Sequence, residues 1–316
     1  MSKFKISIII VNWNSSAYLY DCLNSIYSNA INYPFEVIVV DNCSSDNSVE
    51  MVKHNFPSVN LVCNTSNYGF AKANNIGIKC SDGEYICFVN SDVKILDNCV
   101  NALCHLLDSN KDIGIVGPKI LFPNLEWQRS CMGFPTLWNQ FCCALKLDTF
   151  LPWKDIFGTF MFKYRDLDTT TEVDVINGCF WLVRKDAIIW VGLLDERYFI
   201  YGEDIDWCKR FHQASWKVVY FPHVSSIHYG GGSSKNAPVR FYVEMQKANY
   251  QYWKKHNSKF HQIAYLGIKA IHQVVRIVGN YIKYVYNSSD RTDIKYKISR
   301  SKEGIKWIFS YERKDS

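Results

Sequence analysis

The chain predicts an α/β fold, a mostly parallel central sheet flanked by helices, and three observations predict it. β-branched apolar runs alternate with segments of helical spacing from Ile6 to Val116. Within Tyr85 to Val93, the run Ile86, Cys87, Phe88 and Val89 shows no polar alternation, as expected of a strand buried on both faces. Three of the runs end abruptly in polar residues, at Asn12, Asp41 and Asp92. Strand–helix–strand units close by right-handed crossovers, so these ends should meet along one edge, where open parallel sheets bind their ligands.

The first element is Ile6 to Val11, a β-branched run suited to a central strand. Ala17 to Asn29 places Leu19, Cys22, Leu23 and Ile26 on one side of a helix that Ser15 or Ser16 can cap. Phe35 to Val40 is the second strand, and NCSSDNS behind it offers caps for a helix over Ser48 to Asn55. Asn60 to Cys63 is a short third strand. In NTSNYGFAKANNIGI, Gly69 sits near a helix start and Gly77 permits close packing; Ser81, Asp82 and Gly83 should end that helix in a left-handed turn. Beyond the central run, Val100 to Leu107 reads as a helix and Ile113 to Val116 as a strand.

Leu121 to Thr171 has weak periodicity and many rings: Trp127, Phe134, Trp138, Phe141, Trp153, Phe157, Phe160, Phe162 and Tyr164. Flat apolar rings stack on sugar faces or rest on lipid, and they also fill cores. Val175 to Arg184 is a strand interrupted early by Gly178, which suggests a close backbone approach. In GLLDERYFIYGEDIDWCKRF, Ile205, Cys208 and Phe211 face inward on a helix and Asp206 can pair with Arg210. Glu203 and Asp204 then stand at the helix start, where carboxylates also simply satisfy the helix dipole. Val218 to Phe221 is a last short strand, leading to His228 and a glycine- and serine-rich loop, Gly230 to Ser234, able to close over a ligand.

Composition narrows the class. With 316 residues, 48% hydrophobic and 21% charged, the chain can bury a large core and is not disordered. Its twelve cysteines form no CxxC pair and no secretory signal precedes the first strand, so neither a zinc knuckle nor a disulfide framework is expected, and a reducing cytoplasm is. Net charge is +6, but residues 235–316 carry seventeen Lys and Arg against six Asp and Glu, whereas 1–234 carry nineteen against twenty-four. The basic tail fits a nucleic acid or an anionic membrane surface, and nothing before it resembles a nucleic-acid reader. From Pro238 the chain reads as helical, with no apolar run long enough to span a bilayer. There Ile271, Val274, Val275, Val278, Ile282 and Val285 form one helical stripe, and Lys269, His272, Arg276 and Lys283 another, which suits either an interface or packing on the catalytic domain.

The polar strand ends suggest chemistry. A carboxylate at Asp92 can hold a divalent cation against a diphosphate, or merely cap the helix that follows. The dinucleotide fingerprint GxGxxG is absent after the first strand, where VNWNS stands. A nucleotide would therefore be held by carboxylates and amides.

Six segments, VNWNS, VVDNCSSDNS, NYGFAKANNIG, FVNSDV, GLLDERYFIYGEDIDWCKR and HYGGGSS, resemble in that order the family 2 glycosyltransferases, especially bacterial rhamnosyltransferase-like members. The resemblance covers about residues 5–234. It implies a GT-A fold, a nucleoside-diphosphate sugar donor, a Mn²⁺ or Mg²⁺ ion, and transfer with inversion at the anomeric carbon. By the same resemblance Asn12 and Asp41 contact the nucleoside, and Asn67, Gly69 and Asn75 belong to the donor pocket. Asp92 matches the metal-binding end of the DxD motif, whose first position here is Asn90, one charge fewer near the ribose. Asp204 matches the catalytic base of the ED motif, and His228 a histidine that completes the metal shell.

The implied domain plan is a catalytic domain over 1–234, with a nucleotide-binding half at 1–119 and an acceptor-binding half at 120–234, then a helical basic extension over 235–316. The implied reaction moves a sugar from dTDP-rhamnose or a UDP-hexose to a glycan acceptor, lipid-linked through a polyprenyl diphosphate, in bacterial surface polysaccharide (O-antigen or capsule) synthesis. Such an enzyme would be cytoplasmic, peripheral on the inner face of the membrane, with no nucleic-acid partner. A sugar-phosphate nucleotidyltransferase is an alternative, although VNWNS lacks the glycine- and arginine-rich loop that class carries. A non-catalytic sugar-binding scaffold is another.

Overall fold

The structure, a computed structural model, describes residues 4–151, 155–158, 167–230, 238–286 and 291–311. Its chain divides into two compact units, one of Met1–Gly133 with Asp166–Lys235, the other of Phe134–Arg165 with Asn236–Ser316. The expected division at residue 234 thus differs in one respect. Residues 134–165 group with the C-terminal helices instead of with 120–234, because the apolar helix at their start packs along the longest of those helices.

The first unit begins as the apolar runs require: β1 (Ile6–Asn12), α1 (Ser16–Ser28), β2 (Phe35–Asp41), α2 (Ser48–Asn55), β3 (Asn60–Cys63), α3 (Phe70–Lys79) and β4 (Tyr85–Asn90). β1 pairs in parallel with both β2 and β4, and β2 with β3. The register sets Asn12 opposite Asp41, and Val11 opposite Asn90, so the polar strand ends are level. One face of these strands packs on α1, where Leu19, Cys22, Leu23 and Ile26 are buried as their spacing requires. Gly77 of α3 admits Ile9 on the other face, where a Cβ would lie 2.5 Å from its Cγ2.

The turn after α3 differs from expectation. The helix ends at Cys80 in a right-handed conformation (φ −89°, ψ −1°), and Gly83 is not at positive φ. Space is the requirement at Gly83, because a Cβ would fall 2.5 Å from the Ser7 backbone nitrogen.

The sheet continues through β5 (Val93–Ile95), α4 (Cys99–Ser109), β6 (Ile113–Leu121), β7 (Trp127–Gln128) and β8 (Cys131–Met132). In the other unit lie α5 (Leu137–Ala144), α6 (Leu147–Phe150) and α7 (Asp155–Gly158). The first unit resumes with β9 (Thr171–Glu172), β10 (Val175–Ile176), β11 (Phe180–Arg184), α8 (Lys185–Val191), α9 (Glu203–Gln213) and β12 (Lys217–His228). The strand order is β3-β2-β1-β4-β11-β6-β12-β5, with β11 antiparallel to β4 and β6, and β12 parallel to β6.

Two strands depart from their expected bounds. Val175 to Arg184 is two strands, broken at Asn177–Cys179. The strand expected to stop at Phe221 passes an irregularity between Phe221 and Ser225, re-pairs with Lys119–Leu121 of β6, and runs to His228 beside Val93 of β5. His228 is therefore a strand residue and not part of a loop. Gly231 to Ser234 lie outside the described residues, as do Trp153, Phe160, Phe162 and Tyr164.

In the second unit, α10 (Pro238–His256), α11 (Lys259–Tyr286) and α12 (Arg291–Tyr311) pack on one another, and α5 packs on α11. Trp253 stacks on Tyr265 with ring centroids 4.9 Å apart. Among the rings of the aromatic segment, Trp138 stacks on Phe141 and tilts against Phe157. Among the described residues, no helix is long and apolar enough to cross a membrane.

Candidate active site

The edge formed by the ends of β1, β2 and β4 holds a connected polar network. Asn12 Nδ2 donates to Asp41 Oδ1 at 2.8 Å and to Ser44 Oγ at 3.1 Å. Ser44 Oγ donates to Asp41 Oδ1 at 2.6 Å, and the Ser44 N–H to Oδ2 at 2.8 Å. Asn12 and Asp41 are both buried, so this bonding offsets the desolvation of a carboxylate that would otherwise be costly there. Ser15 begins α1 yet does not cap it; its hydroxyl donates to Asn12 Oδ1 at 2.7 Å and lies 2.9 Å from Ser91 Oγ. The network thus joins Asn12 and Asp41 to the residue preceding Asp92.

Asn67 and Gly69 form a second wall. Asn67 Oδ1 accepts from the Gly69 N–H at 3.0 Å, a turn that gives Gly69 φ +82° just before α3. A Cβ on Gly69 would sit 2.3 Å from the Phe199 carbonyl oxygen, so only glycine fits. Asn42, which sequence reasoning passed over, fixes this turn: its Nδ2 donates to the Gly69 carbonyl at 3.0 Å while its Oδ1 accepts from Asn64 Nδ2 at 2.9 Å. Asn75 does not join the network. Its two amide protons go to the Leu194 carbonyl at 2.9 Å and Glu196 Oε1 at 3.1 Å, and its oxygen accepts from the Leu194 N–H, so it braces the 194–196 loop on α3.

Asn90 and Asp92 end β4. Among the described residues Asn90 Oδ1 is buried without a hydrogen-bond partner, which leaves it able to accept one. Asp92 is nearly buried, and its Oδ1 stands 3.3 Å from His228 Nε2. The other imidazole nitrogen, Nδ1, lies 3.1 Å from Gln128 Oε1. Gln128 can only accept through that oxygen, so Nδ1 carries a proton and Nε2 is the nitrogen that faces Asp92. Gln128 is a second residue that the sequence gave no reason to single out, because β7 is only two residues long.

A carboxylate oxygen and an imidazole nitrogen 3.3 Å apart suit one divalent cation, since neighbouring ligands about 2.1 Å from a metal lie about 3 Å from each other. Among the described residues no group of three or more His, Cys, Asp or Glu could hold a metal. The pair fits a cation that fills its remaining positions with phosphate oxygens and water, as Mg²⁺ sites do.

Asp204 and Glu203 begin α9 behind a left-handed turn, Tyr201 at φ +68° and Gly202 at φ +78°. Asp204 Oδ1 accepts from the Ile205 N–H at 2.8 Å. Burial pushes the Asp204 carboxyl above its ordinary range, against the pull of nearby backbone N–H groups that include Gly178. A Cβ on Gly178 would press on the Trp181 ring at 3.3 Å and make ordinary contact with Asp204 Cβ at 3.7 Å, so the backbone here passes close to both. Burial first, and then the charge of Asp204, hold the Glu203 carboxyl well above its usual range, and Glu203 Oε2 has no partner among the described residues. Asp206 is committed elsewhere. It is fully buried and pairs with Arg210 Nε at 2.9 Å, while Arg210 ties the carbonyls of Val191 and Leu193.

The segments that carry Asp92 and Asp204 are linked. The Asn90 N–H donates to the Cys179 carbonyl at 2.9 Å, linking the end of β4 to the segment against Asp204. Both charges reach the Cys179 thiol: burial, then Asp92 and Asp204, push it up to about 12. Beneath, Phe88 of β4 meets Trp207 of α9 edge-on at 5.6 Å and Trp181 at 6.1 Å. A rigid aromatic cluster therefore fixes the strand that bears Asp92 relative to the helix that bears Asp204.

Residues 7–190 match the family model described as glycosyl transferase family 2. The chain is 27% identical over 254 residues to the N-acetylglucosaminyl-diphospho-decaprenol L-rhamnosyltransferase of Mycobacterium tuberculosis, covering 77% of this chain and 82% of that protein. It is 25% identical over 269 residues to the rhamnosyltransferase WbbL of Escherichia coli, covering 78% and 91%. Among solved structures, the mannosyltransferase PcManGT of Pyrobaculum calidifontis, in complex with GDP-Man and Mn²⁺, superposes with a TM-score of 0.55 at 14% identity, over 96% of this chain and 85% of that one. Staphylococcus aureus TarS 1-349 superposes with a TM-score of 0.51 at 16% identity, over 99% and 92%. These two likenesses speak to the fold, which is GT-A. Taken with the family match over more than half of its length, they complete the assignment: the chain is a rhamnosyltransferase-like glycosyltransferase that belongs to family 2.

Proposed function

We propose that this glycosyltransferase moves a sugar from a nucleoside-diphosphate donor to a lipid-linked glycan acceptor, with inversion and with a divalent cation on the donor diphosphate. The observation that carries the reading is the 3.3 Å approach of His228 Nε2 to Asp92 Oδ1 beside the unpartnered Asn90 Oδ1. Asp92 and His228 would hold Mn²⁺ or Mg²⁺, which neutralises charge on the departing diphosphate. Asn12 and Asp41 would face the nucleoside, with Asn67 and Gly69 shaping the adjoining wall and Asn90 accepting from a ribose hydroxyl. Asp204 would take the acceptor hydroxyl's proton as the bond to the anomeric carbon forms, so no covalent intermediate is needed. Its raised carboxyl makes it a stronger base than an exposed aspartate.

The donor is dTDP-rhamnose or a UDP-hexose and the product a surface polysaccharide precursor, O-antigen or capsule. The names of the two rhamnosyltransferase relatives support this choice, and the decaprenol-linked one supports a polyprenyl-diphosphate acceptor. PcManGT, bound to GDP-Man and Mn²⁺, supports the cation. Released nucleotide is the test: candidate donors incubated with Mn²⁺ and a polyprenyl-diphosphate glycan should yield nucleoside diphosphate. Pyrophosphate release would point to a nucleotidyltransferase, and no release with any donor to a sugar-binding scaffold.

A further inference from the structure

The second unit holds a helix whose faces are reversed relative to an ordinary water-soluble helix. On α11, Ile271, Val274, Val278, Ile282 and Val285 recur at steps of three and four, Ile263 lies eight residues before Ile271 on the same face, and all six are 45–62% exposed. Gly267 falls on that face between Ile263 and Ile271, and a Cβ there would meet nothing within 4 Å. The cationic row lies on the covered side. Lys269, His272 and Arg276 are half-buried there, with burial pulling Lys269 down to about 8 and His272 to about 4. The two stripes lie on different sides of the helix, the apolar one outward apart from the half-buried Val275, and Lys269, His272 and Arg276 on the covered side apart from the exposed Lys283.

We propose that the exposed face of α11 docks on an anionic lipid surface, with the helix axis parallel to the membrane. Charge selects this occupant. α11 contains no Asp or Glu, and its exposed charges are Lys259 and Lys283. Two copies meeting along this seam would bring lysines together with no carboxylate to pair them, whereas a paired helical seam is normally flanked by opposite charges. Anionic headgroups supply the missing partner. Tyr281 and Tyr286, 60% and 86% exposed near the C-terminal end, place ring and hydroxyl where a headgroup boundary would accept both. The helix is about 42 Å long, too polar on its covered side to cross a bilayer and well suited to lie on one. This inference stands on α11 and does not depend on the donor or acceptor proposed above.

The test is co-sedimentation of the full chain with phosphatidylcholine vesicles and with vesicles that also contain phosphatidylglycerol. The wild type should bind the anionic vesicles, and a V274D/V278D/I282D variant about ten-fold less or weaker still, with its thermal melting unchanged because these positions are exposed. Should that variant melt early, V274S/V278S/I282S carries the same comparison. Equal binding by wild type and the folded variant, or no binding by wild type, would overturn the proposal. So would a wild-type dimer in velocity sedimentation that the variant dissociates, since the face would then belong to a second copy.

Discussion

His228 Nε2 faces Asp92 Oδ1 across 3.3 Å while Gln128 holds the opposite nitrogen at 3.1 Å. A strand residue 136 positions later in the chain is thereby aimed at the end of β4. Under the proposed cation site, Gln128 would be a positioning residue that orients the ring by accepting from Nδ1 and leaves Nε2 toward Asp92. Gln128→Ala should therefore weaken cation affinity without changing the ligand count. We expect a 10- to 100-fold weaker apparent Mn²⁺ constant (about the cost of losing an outer-shell partner) in activity titrations, with the limiting rate at saturating Mn²⁺ reduced less.

Asp204→Asn should lower kcat by about 10²- to 10⁴-fold and leave donor affinity near the parent value, because shape is kept and only the proton acceptor is lost. Burial raises the Asp204 carboxyl, so the acid limb of the rate profile should lie above the ordinary carboxylate range, activity rising with pH as that group loses its proton. A pH profile of kcat together with donor binding by calorimetry checks both. A variant with parental kcat would move the base away from Asp204.

Glu203 makes the opposite contribution to stability. Burial, and then Asp204, hold its carboxyl well above the usual range, so between the unfolded and folded values the folded state binds a proton that the unfolded chain has released. The sign follows: stability falls as pH rises from the unfolded carboxylate value toward the folded one. Glu203→Gln should flatten that fall and raise Tm at pH 8 by about 2–4 °C per kcal/mol recovered, as scanning calorimetry would measure.

Much of this site is legible in the sequence because parallel sheets concentrate polar strand ends on one edge. Asn12, Asp41 and Asp92 could be aligned from three apolar runs alone, and Asp204 from a helix start after glycine. What was not legible depends on pairing between distant segments. Gln128 and Asn42 carry no motif, and act only because β7 folds against β6 and because Asn42 reaches the Gly69 turn. The extension of β12 to His228 was hidden by Pro222 and His223, which read as a strand's end and instead mark an irregularity within one. Asn75 shows the reverse case, a polar residue of a motif whose amide is committed to the 194–196 loop, which the sequence does not reveal.

Asp206→Asn should cost about 3–5 kcal/mol, because it leaves Arg210 buried without its counter-charge while Arg210 still ties the 191–193 carbonyls. Denaturant unfolding checks the loss. If Asp206 served as the base instead, the variant would lose turnover with its stability intact.

Gly69→Ala should be destabilising by about 1–3 kcal/mol, since the new methyl must displace the Phe199 carbonyl or abandon φ +82°. Donor affinity should fall with it, as the Asn67 turn is lost. Thermal melting and nucleotide binding of the one variant measure both effects.

The most direct test of the cation site is calorimetric titration of the nucleoside diphosphate with and without Mn²⁺, in the parent, Asp92→Ala and His228→Ala. The parent should bind at least about ten-fold more tightly with Mn²⁺, Asp92→Ala should lose that gain, and His228→Ala should lose part of it. An undiminished Mn²⁺ gain in Asp92→Ala would contradict the assignment of the cation to the end of β4.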